Sequence, residues 1–386
     1  MDIILDKLLE LLNGASQFIA PGGWKYAVMI IIGLGLIALA IFKEYEPLLL
    51  LPIGFGCLLC NLPLSHAVGA DGFLTVLYDA GIANELFPVL LFIGIGAMID
   101  FNPLFTQPVT LFFGAAAQFG IFMAMLLAVC CNFFLNDPFS IQEAAAIGII
   151  GAADGPSAIF IGNLFAPKYM GSIMVAAYSY MSLVPIIQPP VVRALTTKNE
   201  RMIRMGANYE KKAPKVVRIL FPIIVTIVAG IVAPMSTSLI GSLMFGNLIR
   251  ECGVTDKLSQ TAQNELSNII TLLLGITIGS TMRAQDFITL NTAIIMGIGL
   301  LAFVFDTAGG VMFAKLANLF LPKDKKVNPM IGACGISAFP MSARIIQKMA
   351  QKEDSSNFIL MPAIGANVAG QVGSIIAAAL ILSIFG

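Results

Sequence analysis

The chain has 386 residues, 58% hydrophobic and only 11% charged, with a mean hydropathy of +0.90. Soluble domains carry roughly 25% charged residues, so this composition excludes an ordinary soluble protein and defines an integral membrane protein. The balance of 22 basic and 22 acidic residues argues against nucleic acid as a partner, and a single histidine, His66, leaves metal-centred or histidine-based catalysis without ligands.

The first segment, MDIILDKLLELLNGASQFIA, has acids and no basic stretch ahead of its apolar run, so no secretory signal is read there. It is an expected amphipathic helix with Ile3, Ile4, Leu8, Leu11 and Leu12 on one face. A membrane span takes about 20 apolar residues. The first is predicted at 24–44, then five at 47–62, 86–101, 109–134, 140–165 and 168–188. Five more are predicted at 216–236, 264–282, 290–320, 327–350 and 357–385. The expected fold class is therefore an all-α polytopic membrane protein with about eleven transmembrane helices. Cys57-x-x-Cys60 sits inside GFGCLLCNL with no second ligand pair, so it reads as packing rather than as a redox or metal motif.

Between the two groups of spans lies a charged stretch, 193–218, with Arg193, Lys198, Arg201, Arg204, Lys211, Lys212, Lys215 and Arg218 against Glu200 and Glu210. Basic loops stay in the cytoplasm. On that count the N-terminus is cytoplasmic and the C-terminus external, with Lys323, Lys325 and Lys326 as a minor violation of the rule. The expected organisation is 1–46 for the amphipathic helix and first span, 47–190 and 218–386 for two repeats, and 191–217 for a basic cytoplasmic linker.

Two internal matches support the repeats. IGIGAMI (93–99) matches ITIGSTM (276–282), and IIGAADGPSAIF (149–160) matches MIGACGISAFPM (330–341) with one gap. Five spans per repeat is an odd number, so the second copy is inverted, the plan of transporters whose site lies where helices break at the midplane. The breaks carry Gly148, Gly151, Gly155, Pro156 and Gly162 in the first copy and Pro329, Gly332, Gly335 and Pro340 in the second. Unwound backbone is tolerated at membrane depth only around a cavity or ion site.

Asp154 lies in the first break. An ionisable side chain at that depth costs about 3 kcal/mol on insertion scales, so an ion or proton site is favoured over a simple helix cap. The second break offers Asn328, Ser337 and Arg344. Asn and Ser oxygens are neutral hard ligands suited, with one carboxylate, to a weakly held monovalent cation such as Na+. Arg344 either snorkels to the surface or grips an anionic carboxylate or ureido group with its fork. Asn367, in GANVAGQVGS, is a further buried amide, otherwise a helix–helix hydrogen bond. Tyr180 either donates into the same cavity or belongs to an interfacial belt, and Pro185, Pro189 and Pro190 are expected to end its helix. Asp306 is another intramembrane acid without an evident partner.

The stretches GAADGPSAIF, AAYSYMSLVPIIQPPVVRALTTK, NPMIGACGISAFPMSAR and GANVAGQVGS resemble the beta subunits of biotin-dependent, sodium-translocating decarboxylases acting on oxaloacetate, methylmalonyl-CoA or glutaconyl-CoA, over nearly the whole chain. The resemblance implies a bacterial cytoplasmic-membrane subunit, in a trimer, that decarboxylates carboxybiotin while exporting Na+ and consuming a proton. It implies as partners a carboxyltransferase alpha subunit, a biotin carrier and a small single-span gamma or delta subunit. It places the family's key acid on Asp154, its tyrosine on Tyr180, and its second-break residues on Asn328, Gly332, Ser337 and Arg344, with the amide of the last motif on Asn367. Asp154, Asn328, Ser337 and Asn367 are then expected to hold Na+, and Tyr180 and Arg344 to meet carboxybiotin; Asp154, Tyr180 and Arg344 are the expected catalytic groups. The competing classes are a Na+-coupled carboxylate symporter, which would use Asp154 and Arg344 equally well, and a purely structural anchor, which has no need of a midplane acid.

Overall fold

The computed structural model describes residues 14, 16–44, 46–106, 108–135, 137–205, 213–322, 326–338 and 341–386. The expected N-terminal amphipathic helix lies outside the described residues, as do Glu210, Lys211, Lys212, Lys323, Lys325 and Pro340. Among the described residues every regular element is a helix. Chains in hydrocarbon must satisfy their backbone groups internally, and helices do so segment by segment.

Helices α1 (Trp24–Phe42) and α2 (Pro47–Asn61) pack as a pair. A short helix, Phe73–Leu77, and a π-turn, Tyr78–Ala83, bend by 60° into α3 (Leu86–Met98). Then come α4 (Thr110–Ala117), α5 (Phe119–Cys131), α6 (Ile141–Gly148), a first 3-10 break (Ile149–Ala152), α7 (Gly155–Phe165) and α8 (Met170–Leu195). The second half holds α9 (Lys215–Val232), α10 (Thr237–Cys252), α11 (Ser267–Thr281), α12 (Leu290–Phe320), a second 3-10 break (Pro329–Gly335), α13 (Met341–Glu353) and α14 (Leu360–Phe385).

Five helices are long and apolar enough to cross a membrane, or up to seven if two bent pairs each count as one span. That is fewer than the eleven expected: α2 and α11 have only 15 residues each, and two of the expected spans are hairpins. The segment 140–165 is a hairpin of two short helices rather than a span. Its two ends meet: Asp137 pairs with Lys168 at 2.5 Å, and the Phe139 and Tyr169 rings lie 5.3 Å apart. The segment 327–350 behaves likewise. Asn328 near its start and Asn357 beyond its end both donate to the carbonyls of Arg201 and Ile203. Helix α10, by contrast, has no counterpart among the predicted spans.

Hydrogen bonds sort the helix ends into two groups. At the linker end, Lys315 donates to the Leu195 carbonyl, Arg201 pairs with Glu353, and Arg250 donates to the Met98 carbonyl. At the far end, Gln285 donates to the Tyr26 hydroxyl, Asn291 to the Tyr169 hydroxyl, and Gln142 to the Phe385 carbonyl. A cavity of about 640 Å³ opens there, lined by Asp137, Lys168, Arg283, Gln285 and Asn291 among others. The first hairpin therefore starts and finishes at the far end, and the second at the linker end.

The prolines of α8 bend it rather than end it. The helix continues to Leu195 with a 66° bend between Met181 and Leu183. Pro185 has no N–H for the Met181 carbonyl, which is the ordinary cause of such a kink. Cys57 and Cys60 pack as expected, their thiols donating to the carbonyls of Met29 and Gly279 across the α1–α2–α11 contacts.

The second break lies directly on α12. A methyl group at Gly332 would stand 2.0 Å from the Gly310 carbonyl oxygen. Gly332→Ala is therefore expected to push the break off α12 and destabilise the protein by about 1–3 kcal/mol, the usual cost of overpacking. Thermal unfolding in detergent checks this; an unchanged midpoint means that the contact relaxes freely.

Candidate functional site

The first break is built by local backbone preferences. Ser140 and Glu143 form a capping box that starts α6. After the 3-10 turn, Ala153 adopts the left-handed conformation at φ 52° and Asp154 is extended at φ −132°. A non-glycine residue held left-handed is strained and persists only where its surroundings impose it. Pro156, in the first turn of α7, is preorganised for helix and restarts it. Asp154 thus stands at the junction of two half-helices, 4% exposed.

Ser157 Oγ donates to Asp154 Oδ2 at 2.5 Å. The Ser374 hydroxyl of α14 lies near this carboxylate but donates to the Gln371 carbonyl at 3.0 Å. One hydroxyl proton serves only one of these acceptors at a time. Tyr178 closes the site from α8. A methyl at Gly155 would lie 2.2 Å from its Cζ, and the buried Tyr178 hydroxyl has no partner among the described residues.

Asn328 starts the second break by accepting from the Met330 amide. Helix α14 holds the rest. Asn367 Nδ2 donates to the carbonyls of Cys334 and Ile336 at 3.1 and 2.7 Å. Gln371 donates to the Ser337 carbonyl, and Ser337 Oγ to the Gly370 carbonyl at 3.0 Å. From the α4–α5 junction, Gln118 donates to the Gly114 carbonyl at 3.0 Å and reaches the Gly335 carbonyl at 3.4 Å. These carbonyls fix the amide orientations and turn the oxygens away. The side-chain oxygens of Gln118, Asn367 and Gln371 have no partner among the described residues. Buried acceptors left without donors are costly, and three of them on side chains that hold the second break make it receptive to a cation.

Asn367, Gln371 and Ser374 are spaced i, i+4, i+7, one stripe of α14. That stripe joins the two breaks through the chain Asp154, Ser374, Gln371, Ser337. Ser337 and Asn367 of the expected site meet at the second break, and Asp154 lies near the same helix, α14, at Ser374. Gly332 lies in the same break, against α12. Asn328 is committed elsewhere, its amide nitrogen on the linker carbonyls at 2.9 and 3.0 Å. Tyr180 faces α12, donating to the Met296 carbonyl at 2.8 Å beside Phe303. Arg344 is exposed on α13, with no ion pair or hydrogen bond among the described residues. Tyr178, Gln371, Ser374, Ser157 and Gln118 were not anticipated; the α14 spacing was the available signal for two of them. No cluster of three or more His, Cys, Asp or Glu suited to a metal exists among the described residues.

The chain matches the family model of the Na+-transporting oxaloacetate decarboxylase beta subunit over residues 25–385, and it belongs to that family. It is 49% identical to the methylmalonyl-CoA decarboxylase subunit beta of Veillonella parvula, with 92% of each chain covered. It is 47% identical to the glutaconyl-CoA decarboxylase subunit beta of Acidaminococcus fermentans over 94% of each. With the oxaloacetate decarboxylase beta chain of Klebsiella pneumoniae it shares 42% identity over 98% of this chain and 99% of that one.

Proposed function

We propose that this chain is the membrane subunit of a primary sodium pump, decarboxylating carboxybiotin brought by a carrier subunit and coupling that step to Na+ export. N-carboxybiotin loses its carboxylate as CO2, and the ring nitrogen takes up one proton. The observation that carries the proposal is the buried Asp154 carboxylate, linked through Ser374 and Gln371 to a second break flanked by unpartnered amide oxygens. On this reading Asp154 supplies the charge for Na+, while Asn367 and Gln371 supply neutral oxygens. Ser337 and Asn328 set the course of the second break, and Arg344 receives the carboxybiotin carboxylate. Tyr180 serves as a donor to carboxybiotin once its hydroxyl leaves the Met296 carbonyl. A sodium-coupled symporter is not favoured, because the similar proteins are named decarboxylase subunits. Their named substrates differ at 42–49% identity, which fits substrate choice by the carboxyltransferase subunit. A biotin carrier, a small single-span subunit and two further copies of this chain complete the proposed assembly. The test is ²²Na+ uptake into inverted vesicles carrying the reconstituted complex, started with each of the three substrates. Uptake that proceeds without the carrier subunit would refute the pump reading.

Inverted repeats are part of the proposal. Asn132 brackets Phe139 by two hydrogen bonds at 2.8 Å, and Asn318 brackets Val327 the same way at 2.7 and 2.8 Å, each at the start of a hairpin. Asn61 of α2 binds the Met282 carbonyl beyond α11, as Asn247 of α10 binds the Ile99 carbonyl beyond α3. With α1 paired to α9, so that the first repeat starts at α1 and not at residue 47 as expected from the sequence, each repeat has five crossings and one hairpin, the two hairpins opening to opposite sides. If the basic linker is cytoplasmic, both Trp24 and Gly386 then face outward, in place of the cytoplasmic N-terminus expected from eleven crossings, and the cavity at the far end is the outward vestibule. Impermeant maleimide on intact cells should therefore label Asp71→Cys but neither Lys198→Cys nor Ser355→Cys, all at exposed positions. Outside labelling of Ser355→Cys alone would restore 327–350 as a span.

A further inference from the structure

Asp306 lies in the middle of α12 and is 0% exposed; neither carboxyl oxygen accepts from a side chain among the described residues, and the nearest donor is the Gly120 main-chain amide. Its surroundings are main chain. A methyl group at Gly120 of α5 would lie 2.1 Å from Oδ1 and 2.4 Å from the Ala302 carbonyl oxygen. One at Gly151, in the first break, would lie 3.2 Å from Oδ2 and 2.9 Å from the Ile121 nitrogen. The carboxyl is thus wedged between α5 and the break that carries Asp154.

The elements packed on α12 bring Tyr178, Tyr180 and Arg193 from α8, Cys334 from the second break and Cys130 and Cys131 from α5. They also bring Glu143 from α6 and Asp154 from the first break, while α4 brings no titratable group. Arg193, the one base among these, is exposed near the linker. On α12 itself, Lys315 is engaged with the Leu195 carbonyl and Glu200. No cation therefore faces Asp306. An ionised carboxylate buried without a partner is prohibitively costly, and such a group neutralises instead. Two cations suit a pump of this kind. Na+ requires several oxygen ligands, and the one other oxygen named beside the Asp306 carboxyl among the described residues is the Ala302 carbonyl, which the helix already uses as an acceptor one turn before Asp306. A proton requires no added volume.

We infer that Asp306 is a proton-binding site separate from the Asp154 sodium site, neutral while the first break is closed on α12 and exchanging its proton when that contact opens. The inference rests on the sodium-pump reading for its role in turnover, though not for the site itself. Closing the break on an ionised Asp306 would bury a bare charge, so protonation becomes a condition for closure. Movement of the Asp154 segment and uptake of a proton are then one event.

Two measurements test this on the complete reconstituted complex. A hydrophobic carbodiimide, dicyclohexylcarbodiimide, reacts with protonated carboxyls in apolar surroundings, and mass spectrometry locates the adduct. Asp306 should be modified during turnover with no protection by Na+, whereas modification of Asp154 should be suppressed by Na+. Protection of both by Na+ would make Asp306 a sodium ligand, and absence of modification during turnover would rule out proton exchange; either overturns the inference. Asp306→Asn keeps the shape and the neutral state. It should leave Na+ protection of Asp154 intact while lowering decarboxylation-driven ²²Na+ uptake by about a hundred-fold, as for loss of a proton-transfer group, and flattening its pH profile. Full activity with the original pH profile would reduce Asp306 to packing. Failure of the wild-type complex to take up Na+ would instead reject the pump reading, and the carbodiimide result would still decide the fate of the Asp306 site.

Discussion

Asp154→Asn is expected to abolish carboxybiotin decarboxylation and Na+ transport together. Asparagine keeps the size, and its oxygen still accepts from Ser157, so the break should fold as before. What disappears is charge. The other oxygens near the breaks belong to amides, hydroxyls and main chain, and no second acid lines the chain from Ser374 to Ser337. A unit charge about 4 Å away contributes about 4 kcal/mol at an effective dielectric of about 20, so Na+ affinity should fall by about a hundred-fold or more. A site occupied by neither Na+ nor a titrating proton has nothing to exchange. CO2 release and ²²Na+ uptake measured on the same proteoliposomes check this. Continued CO2 release at the normal rate without uptake would show that decarboxylation does not pass through Asp154.

The second large effect is expected at Arg344. Arg344→Lys keeps the charge and most of the reach but loses the planar fork that grips a carboxylate through two hydrogen bonds. In the structure this guanidinium is exposed and unengaged among the described residues, so it is free to take a ligand. The concentration of carboxylated carrier needed for half-maximal rate should rise by about ten-fold, one bidentate bond's worth of binding, while the Na+ dependence stays as it was. If both are unchanged, Arg344 merely anchors α13 at the surface. If the Na+ dependence shifts instead, the arginine acts on the ion site and the assignment of the substrate entrance to this face fails.

The amino-acid pattern made some of this legible. Asp154 stood out because an acid between glycines in an apolar run has few purely structural uses; Ser337 followed from the matching break, and Asn367 from the amide among small residues in GANVAGQVGS. Hydropathy could not separate a hairpin from a span, because α6, the break and α7 together are about as long and apolar as one crossing. Helix α10 escaped for the opposite reason. Its Asn247 and Glu251 are buried, the one on main chain beyond α3 and the other on Arg218, so a helix with polar internal contacts looks like a loop by composition. Asn328 and Tyr180 were expected at the ion and substrate sites, but their partners lie far away in sequence, on the linker and on α12, and no local pattern encodes those distances. Gln371 and Ser374 were within reach, since their spacing from Asn367 places all three on one face.

The opposed hairpins also have an electrical consequence. If each admits water from its own side as far as its break, the insulating layer is much thinner than the bilayer, and most of the membrane voltage drops across the few residues around Asp154, Ser374 and Gln371. Carrying one charge through the whole of that drop involves about 2.3 kcal/mol per 100 mV. The voltage sensitivity of turnover should accordingly reside in a single short ion movement, and the approach of Na+ from either side should be almost indifferent to the applied potential.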